Sequence, residues 1–548
     1  VAHMKDAVKK TYGLKGEKIV NMNIAAVDAG INSPVKVNVP ADWANAADDR
    51  TVDETLPDVV KNIVVPCNRQ RGDDLPVSAF LPYQDGTYPL GTSKYDKRGI
   101  AAFLPQWDSN KCLQCNQCTF VCPHAAIRAY LVDEEEAAAA PAGFTTVPAK
   151  GAKGLQYRLQ VSTLDCTGCG SCAASCLSKD KALTMQPVDD TMYDETNWNY
   201  ALSLKDKPGV FDRKTLKGSQ FSQPLVEFSG ACAGCGETPY AKLITQLYGE
   251  KTYWVNGVGC SLAWAGAFPS LPYTKNKEGR GPAFYGTLFE DQAENGLGVV
   301  LATKQRRAYV KQVAQQLLPL VPGTELEGAI HAWLASFDDL DANDADARKL
   351  TAALESASLT GKAAELAEKL LKNKDQLGKK VVWLFGGDGW AYDIGYGGLD
   401  HVMASGEDIN VFVVDTEVYS NTGGQSSKAT PVGASAKFAD GGKKTAKKDL
   451  GRLMMTYPNV YVASVAMGAN PAQLMKAVTE AVAHKGPSIV IAYAPCINHG
   501  IKAGMNNVQA EMKKAVDCGL WPLYRYDPNK TEKPFSLDYK KPSVPVEE

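Results

Sequence analysis

The chain has 548 residues, of which 45% are hydrophobic and 22% are charged, and its formal net charge is -2. This composition excludes a disordered, collagen-like or coiled-coil protein, and so small a net charge excludes recruitment of nucleic acid or an anionic membrane by a global field. The longest apolar runs, 381–385 and 488–494, are far shorter than the roughly 18 to 20 residues that span a bilayer. We therefore expect a globular protein of the cytoplasm, or of an organelle matrix in a eukaryote.

The sequence predicts four regions. Residues 1–50 begin with Val1 rather than an initiator Met, and we interpret them as the end of a preceding domain, with further residues upstream. Residues 51–105 are proline-rich and predict an irregular strap over neighbouring domains. Residues 106–205 hold two groups of four cysteines. Residues 206–548 alternate short apolar runs with helix-like segments, which predicts an α/β domain with a parallel sheet.

A helical insertion is predicted inside the last region. Residues 301–378 are rich in Ala, Leu and Lys, and their apolar residues recur with a helical period. We assign no chemistry to this segment.

The eight cysteines of the third region repeat one spacing. Each group reads C-x2-C-x2-C-x3-C, and Pro123 follows the first group. This is the spacing of two-cluster ferredoxins, in which the fourth cysteine ligates the other cluster. Zinc motifs instead pair two C-x2-C units, so we favour a bacterial-type ferredoxin-like α+β domain with two [4Fe-4S] clusters. The predicted ligands are Cys112, Cys115, Cys118 and Cys176 for one cluster, and Cys166, Cys169, Cys172 and Cys122 for the other.

The remaining cysteines are less regular. Cys232 and Cys235 form a bare C-x2-C, which by itself is compatible with zinc or with a redox dithiol. Cys260 and Cys496 are single residues. We expect the two others, Cys67 and Cys518, to hold no metal.

Polar residues follow two predicted strands of the α/β region. A strand at 381–385, a turn at 386–389 and a helix at 391–404 precede the next strand, 409–414. Because parallel strands end at the same edge of a sheet, Asp388 and Thr416 should face one crevice there. A hard cation would suit this pair of oxygen donors.

The same edge should also receive two of the single cysteines. Strands predicted at 460–465 and 488–494 run in the same direction, with Asn470 and Pro471 as the N-cap and first residue of the helix between them. Cys496 follows the second of these strands, and Cys260 follows a further strand predicted at 251–255. We therefore expect both cysteines to lie near Asp388 and Thr416.

The Gly-Asp-Gly of 387–389, followed by Asp-Thr-Glu-Val-Tyr-Ser-Asn-Thr-Gly-Gly-Gln at 415–425, fits the fingerprint of thiamine-diphosphate enzymes. In that motif an Asp and a second side chain hold Mg2+, which holds the diphosphate. Asp388, Thr416 and the Val418 carbonyl are the predicted Mg2+ ligands. The usual motif has Asn where Thr416 stands, and Thr still offers an oxygen. The predicted fold is a doubly wound parallel sheet that binds thiamine diphosphate.

Taken together, the ferredoxin-type repeats, the Ala-Cys-Ala-Gly-Cys-Gly-Glu-Thr-Pro of 231–239 and the two segments around Asp388 and Thr416 closely resemble the pyruvate:ferredoxin (flavodoxin) oxidoreductase family. The chain is similar, along essentially all its length, to the C-terminal half of the single-chain form, or of a pyruvate:NADP+ oxidoreductase-type fusion. The resemblance implies oxidative decarboxylation of pyruvate with coenzyme A to acetyl-CoA and CO2. Electrons would pass through three [4Fe-4S] clusters to an external carrier.

The resemblance also implies roles for particular residues. Cys232, Cys235, Cys260 and Cys496 would hold the cluster nearest thiamine diphosphate. Asn421 would lie near the substrate. The implied cofactor contacts are Glu237, Cys260, Gly387, Asp388, Gly389, Trp390, Thr416, Val418, Tyr419 and Asn421.

The implied partners are ferredoxin or flavodoxin, N-terminal domains that carry most of the coenzyme A site, and a second copy of the chain in a homodimer. In some relatives a flavoprotein reductase is fused at the C-terminal end, in which case Glu548 would mark a cut. Other 2-oxo acids remain alternative substrates, because the selecting residues are expected on the N-terminal domains.

Two other classes of function compete with this interpretation. One is a pure electron-transfer module, against which the Gly-Asp-Gly crevice argues. The other is a non-redox thiamine decarboxylase or synthase, against which three cluster motifs argue.

A lysine-rich loop at 434–448 is the last feature of the sequence. Such loops are commonly solvated surface, but an acidic carrier needs a local basic patch for steering. We hypothesise that this loop, or another basic patch near the 112–176 domain, guides the carrier. The lysines concerned are Lys437, Lys443, Lys444, Lys447 and Lys448.

Overall fold

A computed structural model describes residues 1–46, 53–190, 195–266, 268–539 and 542. Two expectations, the boundary between residues 50 and 51 and the cut at Glu548, lie outside the described residues. The chain divides into two compact units, Val1–Leu56 and Pro57–Glu548. Within the described ranges, no helix combines the length and the apolar character needed to cross a membrane.

The described part of the first unit contains two α-helices, α1 (Ala2–Tyr12) and α2 (Glu17–Asn32). Neither helix has a buried residue. Lys5 of α1 and Asp28 of α2 form an ion pair of 2.5 Å.

The second unit contains all fifteen described strands and the remaining helices. The strands are β1 (Phe103–Trp107), β2 (Ile127–Val132), β3 (Val147–Pro148), β4 (Gln156–Val161), β5 (Leu183–Pro187), β6 (Thr252–Asn256), β7 (Ala283–Gly286), β8 (Val381–Gly387), β9 (Asn410–Asp415), β10 (Val418–Tyr419), β11 (Gln425–Ser426), β12 (Tyr461–Val465), β13 (Ser488–Tyr493), β14 (Tyr524–Tyr526) and β15 (Phe535–Leu537). The helices are α3 (Val65–Asn68), α4 (Gln117–Phe120), α5 (Glu134–Ala138), α6 (Ser171–Ala174), α7 (Glu195–Ser203), α8 (Leu216–Ser219), α9 (Thr238–Tyr248), α10 (Cys260–Ala265), α11 (Gln292–Leu317), α12 (Glu325–Ala335), α13 (Leu340–Ser356), α14 (Gly361–Lys372), α15 (Tyr396–Ala404), α16 (Leu450–Met454), α17 (Pro471–Ala483) and α18 (Val508–Asp517).

An eight-stranded sheet organises the C-terminal part, in the order β15-β14-β12-β13-β9-β8-β6-β7. The six strands from β12 to β7 in this order are parallel, which confirms the predicted α/β class. At the other edge β14 and β15 are antiparallel, so the sheet is mixed rather than wholly parallel. Antiparallel edge strands of this kind are common on parallel sheets.

The core of this sheet is aromatic. Trp254, Trp383, Phe385 and Phe412 are fully buried on neighbouring strands, and the rings of Phe385 and Phe412 stack with centroids 5.5 Å apart. Strands that are covered by helices on both faces are mainly apolar, as β8 is here and as β9 is between Asn410 and Asp415 at its two ends.

Two local predictions have different outcomes. The Asn470 side chain accepts a hydrogen bond from the Gln473 amide, 3.0 Å, and Pro471 opens α17, as predicted. The predicted turn at 386–389 is wrong, because β8 continues through Gly387 and a π-helical segment begins at Gly389. Since glycine has no side chain, a glycine pair at a strand end is equally compatible with a turn and with an extended backbone.

The helical insertion comprises α11 to α14, and its residues form a hydrophobic cluster of their own around Trp333, Leu350 and Leu370. Its first helix begins at Gln292 rather than near residue 301. Gln292 is fully buried, and Gly296 passes so close to Leu384 that an added Cβ would lie 1.9 Å from a methyl carbon. The start of α11 therefore belongs to the covering of the sheet, and its later turns to the insertion.

The cysteine-rich part has two small antiparallel sheets, β2-β4-β3 and β1-β5. Its core contains Cys122, Cys172, Trp198 and Phe228. Two of the predicted ligand cysteines are therefore part of the packing of this α+β unit.

Candidate functional site

Two cavities in the cysteine-rich part are each lined by four cysteines. In each cavity, three of the cysteines come from one sequence group and the fourth comes from the other group. The fourth cysteine is Cys176 in the first cavity and Cys122 in the second. The cysteines of the first cavity are Cys112, Cys115, Cys118 and Cys176. Those of the second are Cys122, Cys166, Cys169 and Cys172. The fold thus brings together the two sets that the spacing predicts, including the exchange of the fourth cysteine.

The chemistry of these thiols fits a metal cluster. Burial raises the pKa of Cys118 and of Cys172, and it raises that of Cys166 to about 12. A thiol in such surroundings ionises when a metal binds it. Backbone amides also point at the sulfur atoms: Gln114 N lies 3.3 Å from Cys112 Sγ. Hydrogen bonds to sulfur are one means of setting the potential of iron–sulfur clusters.

A third cavity lies beyond the carboxyl ends of β6 and β13. It is lined by Cys232, Cys235, Cys260 and Cys496, and also by Glu237, Thr416 and Asn421. Gly236 makes the arrangement possible, since a Cβ there would lie 2.5 Å from the Pro495 carbonyl oxygen. The four less regular cysteines, of which Cys260 is also an implied cofactor contact, therefore share one cavity with three further implied contacts.

Hydrogen bonds fix the polar side chains of this cavity. Trp264 Nε1 donates to Glu237 Oε2 over 3.0 Å, and burial raises the pKa of Glu237 to about 7. Cys260 Sγ lies 3.1 Å from Ser420 Oγ and also contacts the Asn421 side chain. Burial raises the pKa of Cys260 to about 12.

Asp388 is the centre of the second polar group at this edge. Its Oδ1 accepts hydrogen bonds from Thr416 Oγ1, 2.9 Å, and Thr416 N, 3.1 Å. Its Oδ2 accepts from Ser427 Oγ, 2.7 Å, and Thr416 Oγ1 lies 3.0 Å from the Val418 carbonyl oxygen. Oxygen atoms of Asp388, Thr416 and Val418 that could ligate a cation thus lie close together at the carboxyl ends of β8 and β9.

The surroundings of Asp388 suit a divalent cation. The residue is 1% exposed, and burial together with the neighbouring Asp415 raises the pKa of Asp388 to about 8. A buried carboxylate that lacks a cationic partner is costly, and a hard cation with oxygen ligands would compensate it.

The remaining implied contacts surround Asp388. Gly387 ends β8 and Trp390 is buried. A Cβ on Gly389 would lie 2.5 Å from the ring of Tyr419, which belongs to a short hairpin formed by β10 and β11. Glycine at 389 is therefore required by the close approach of the hairpin.

In the lysine-rich loop at 434–448, three of the five lysines have ammonium groups that contact neighbouring segments. Lys447 is half-buried, and its Nζ lies 2.7 Å from Asp415 Oδ2 and 3.1 Å from Glu417 Oε1. Lys448 donates to the Tyr392 carbonyl oxygen, 3.0 Å, and Lys443 to that of Thr430, 2.6 Å. These three lysines hold the loop against the sheet edge. Among the contacts of the described residues, the ammonium groups of Lys437 and Lys444 have none of this kind.

Sequence reasoning missed several residues of the site. Ser427 bonds Asp388, and His499 Nε2 lies 2.6 Å from the Thr416 carbonyl oxygen. Trp264 bonds Glu237. Ser427 lies close to the motif that begins at Asp415, so the sequence could have predicted its place in the site. No sequence motif links His499 or Trp264 to the site.

Three family models match parts of the chain. Residues 360–492 match a thiamine pyrophosphate enzyme C-terminal TPP binding domain, and residues 104–127 match a 4Fe-4S binding domain. Residues 46–101 match EKR, a domain of unknown function. The matched regions contain the Asp388 group and the first four cysteines, so the chain joins a thiamine-pyrophosphate enzyme domain to an iron–sulfur domain.

Full-length comparison specifies the family. The chain is 52% identical to the pyruvate:ferredoxin oxidoreductase of Moorella thermoacetica, over 99% of this chain and 47% of that protein. It is 50% identical to the pyruvate-flavodoxin oxidoreductase of Klebsiella pneumoniae, over 98% of this chain and 46% of that protein. It is also 45% identical to the mitochondrial pyruvate dehydrogenase [NADP(+)] of Euglena gracilis, over 98% of this chain and 30% of that protein. The chain belongs to the pyruvate:ferredoxin and pyruvate-flavodoxin oxidoreductase family, and it spans about half the length of the first two relatives.

Proposed function

We propose that this chain is the C-terminal, electron-handling part of an enzyme that oxidises pyruvate with coenzyme A. The overall reaction consumes pyruvate, coenzyme A and two oxidised one-electron carriers, and yields acetyl-CoA, CO2, a proton and two reduced carriers. The observation that carries the proposal is the third cavity, in which four cysteines share their walls with Glu237, Thr416 and Asn421. This arrangement suits a cluster that takes electrons directly from a neighbouring organic cofactor.

Residues at the sheet edge would bind thiamine diphosphate and its Mg2+. Asp388, Thr416 and the Val418 carbonyl would hold Mg2+ and through it the diphosphate of thiamine diphosphate, which supplies carbanion stabilisation when bound. Gly387, Gly389, Trp390 and Tyr419 would shape the diphosphate end of the pocket. Glu237, Cys260 and Asn421 would border the reacting end, with Asn421 on the substrate side.

Three [4Fe-4S] clusters would form the electron path. The third cavity would hold the cluster nearest thiamine diphosphate. The cavity of Cys166 would hold the next cluster, because Cys169 of that cavity is close enough to the Gly234 amide for a hydrogen bond. The cavity of Cys112 would hold the outermost cluster.

An acidic carrier, ferredoxin or flavodoxin, would dock over the outermost cluster. Leu113 and Leu177, each one residue beyond a lining cysteine, are 51% and 64% exposed. Lys150 Nζ donates to the Cys112 carbonyl oxygen, 3.0 Å, and Lys181 Nζ to that of Cys176, 2.8 Å. A small apolar patch with lysines around it complements an acidic partner and steers its approach. We favour this surface, which is the basic patch near the 112–176 domain that the sequence offered as the alternative, over the 434–448 loop.

The test is a carrier-reduction assay on the purified, full-length protein under anaerobic conditions. We expect pyruvate and coenzyme A together to drive flavodoxin or ferredoxin reduction, and a Cys496→Ser variant to lose it while still binding thiamine diphosphate. If the chain were only an electron-transfer module, it would pass electrons from dithionite to the carrier, and calorimetry would detect no binding of thiamine diphosphate. Equal rates with another 2-oxo acid would broaden the substrate assignment.

A further inference from the structure

Lys242 is a buried lysine between the two cysteine groups of the ferredoxin-like part. It lies on α9 and is 2% exposed. Its Nζ donates to the carbonyl oxygen of Thr119, which stands between Cys118 and Cys122 in the chain. Cys118 lines one thiol cavity and Cys122 the other.

The charges around Lys242 leave its ammonium without a carboxylate. In the part of the chain that the structure describes, none of the ion pairs involves Lys242, and the hydrogen bond given for its ammonium goes to the backbone carbonyl of Thr119. The nearby Arg128 is neutralised by Glu227, with which it forms a buried ion pair. Burial lowers the pKa of Lys242 to about 8, while the charges of Cys122 and Cys118 act in the opposite direction.

We propose that Lys242 raises the reduction potentials of the two ferredoxin-like clusters by placing a positive charge between them. Adding an electron makes a thiolate-bound cluster more negative, and a cation held nearby in a medium of low dielectric stabilises the reduced form. Lys242 touches no reacting atom, so it is a positioning residue for electron flow. The inference rests on the proposed cluster sites of the previous section.

The test is a redox titration of the holoenzyme followed by electron paramagnetic resonance. In Lys242→Met we expect the ratio of reduced to oxidised cluster at a fixed potential to fall about tenfold, which equals a midpoint lower by about 59 mV for one electron. Lys242→Arg, which keeps the charge, should restore the parent midpoint. Lys242→Gln, which keeps a donor for Thr119 but no charge, should behave as Lys242→Met does.

Lys251→Met is the matched control. Lys251 is 8% exposed, but its Nζ contacts Leu340 and Asp341 of the helical insertion, at 3.2 Å and 3.1 Å. Its replacement should leave both midpoints unchanged.

Several results would overturn the proposal. If Lys242→Gln has the midpoint potentials of the parent protein, the hydrogen bond to Thr119 matters and the charge does not. If Lys251→Met shifts the midpoint potentials as much as Lys242→Met does, the shift is a general effect of losing a buried lysine. Failure of both neutral variants to assemble clusters, with normal assembly in Lys242→Arg, would assign Lys242 a structural role instead. Absence of iron from the parent protein would instead contradict the proposed function itself, together with this inference.

Discussion

Lys447 places its ammonium 2.7 Å from a carboxylate oxygen of Asp415, a residue whose side chain is completely buried at the end of β9. The hydroxyl of Tyr392 bonds the same oxygen, 2.7 Å. Glu417, next to Thr416 in the chain, has the unusual φ of 60° and also pairs with Lys447. The ion pair thus stabilises the backbone that presents Thr416 to Asp388.

We expect Lys447→Met to lower the free energy of unfolding of the sheet domain by about 3 to 5 kcal/mol, because it leaves a buried carboxylate unpaired. Urea unfolding followed by tryptophan fluorescence measures the change. Lys444→Met, at an exposed position of the same loop, should change stability by less than about 0.5 kcal/mol. Equal effects of the two substitutions would show that the ion pair with Asp415 contributes nothing.

The oxygen ligands predict a graded series for cofactor binding. Asp388→Ala removes the charged donor and should weaken Mg2+-dependent binding of thiamine diphosphate by more than about 100-fold. Ser427→Ala, which loses only the contact that orients Asp388, should weaken it by roughly 10- to 100-fold. Thr416→Val should also weaken binding, whereas Thr416→Asn should be tolerated. Calorimetric titration measures all four, and unchanged affinity in Asp388→Ala would refute the cation site.

Iron content tests the number of clusters. Twelve cysteines line the three cavities, so we expect about twelve iron atoms per chain. Cys496→Ser should reduce this to about eight, because the third cavity loses one wall thiol. Cys518→Ser should retain the full content. A parent protein with about eight iron atoms per chain would contradict the third cluster and support only the two ferredoxin-like clusters.

Carrier docking is tested by charge reversal around the outermost cluster. Lys111, Lys153 and Lys179 are exposed lysines of the loops there, and none of their ammonium groups bonds a cysteine carbonyl among the described contacts. Their replacement by Glu should slow carrier reduction about tenfold at low ionic strength. Added salt should reduce the difference in rate between this variant and the parent protein. Reduction of the internal clusters by pyruvate should keep its rate. If reversing Lys437 and Lys444 slows the carrier more, the loop at 434–448 is the docking site after all.

The sequence allowed much of the site to be predicted, because metal ligands impose fixed spacings. The exchanged roles of Cys122 and Cys176 follow from a spacing rule, and the proximity of Asp388 to Thr416 follows from the geometry of parallel strands. Lys447 could not be predicted, since a lysine in a run of Lys and Gly resembles solvated surface until tertiary contacts bury it. The start of α11 at Gln292 was missed because a buried Gln weakens the helical pattern of apolar residues.

The close approach of Gly236 to Pro495 joins the segment of Cys232 and Cys235 to the segment of Cys496. All eight cysteines of the ferredoxin-like part leave the ribosome long before β13 is synthesised. The third thiol cavity exists only after β13 has entered the sheet and carried Cys496 to the edge. For the proposed clusters this implies an order of assembly, in which the two peripheral thiol cavities can be complete during translation and the innermost cavity only after β13 has joined the sheet.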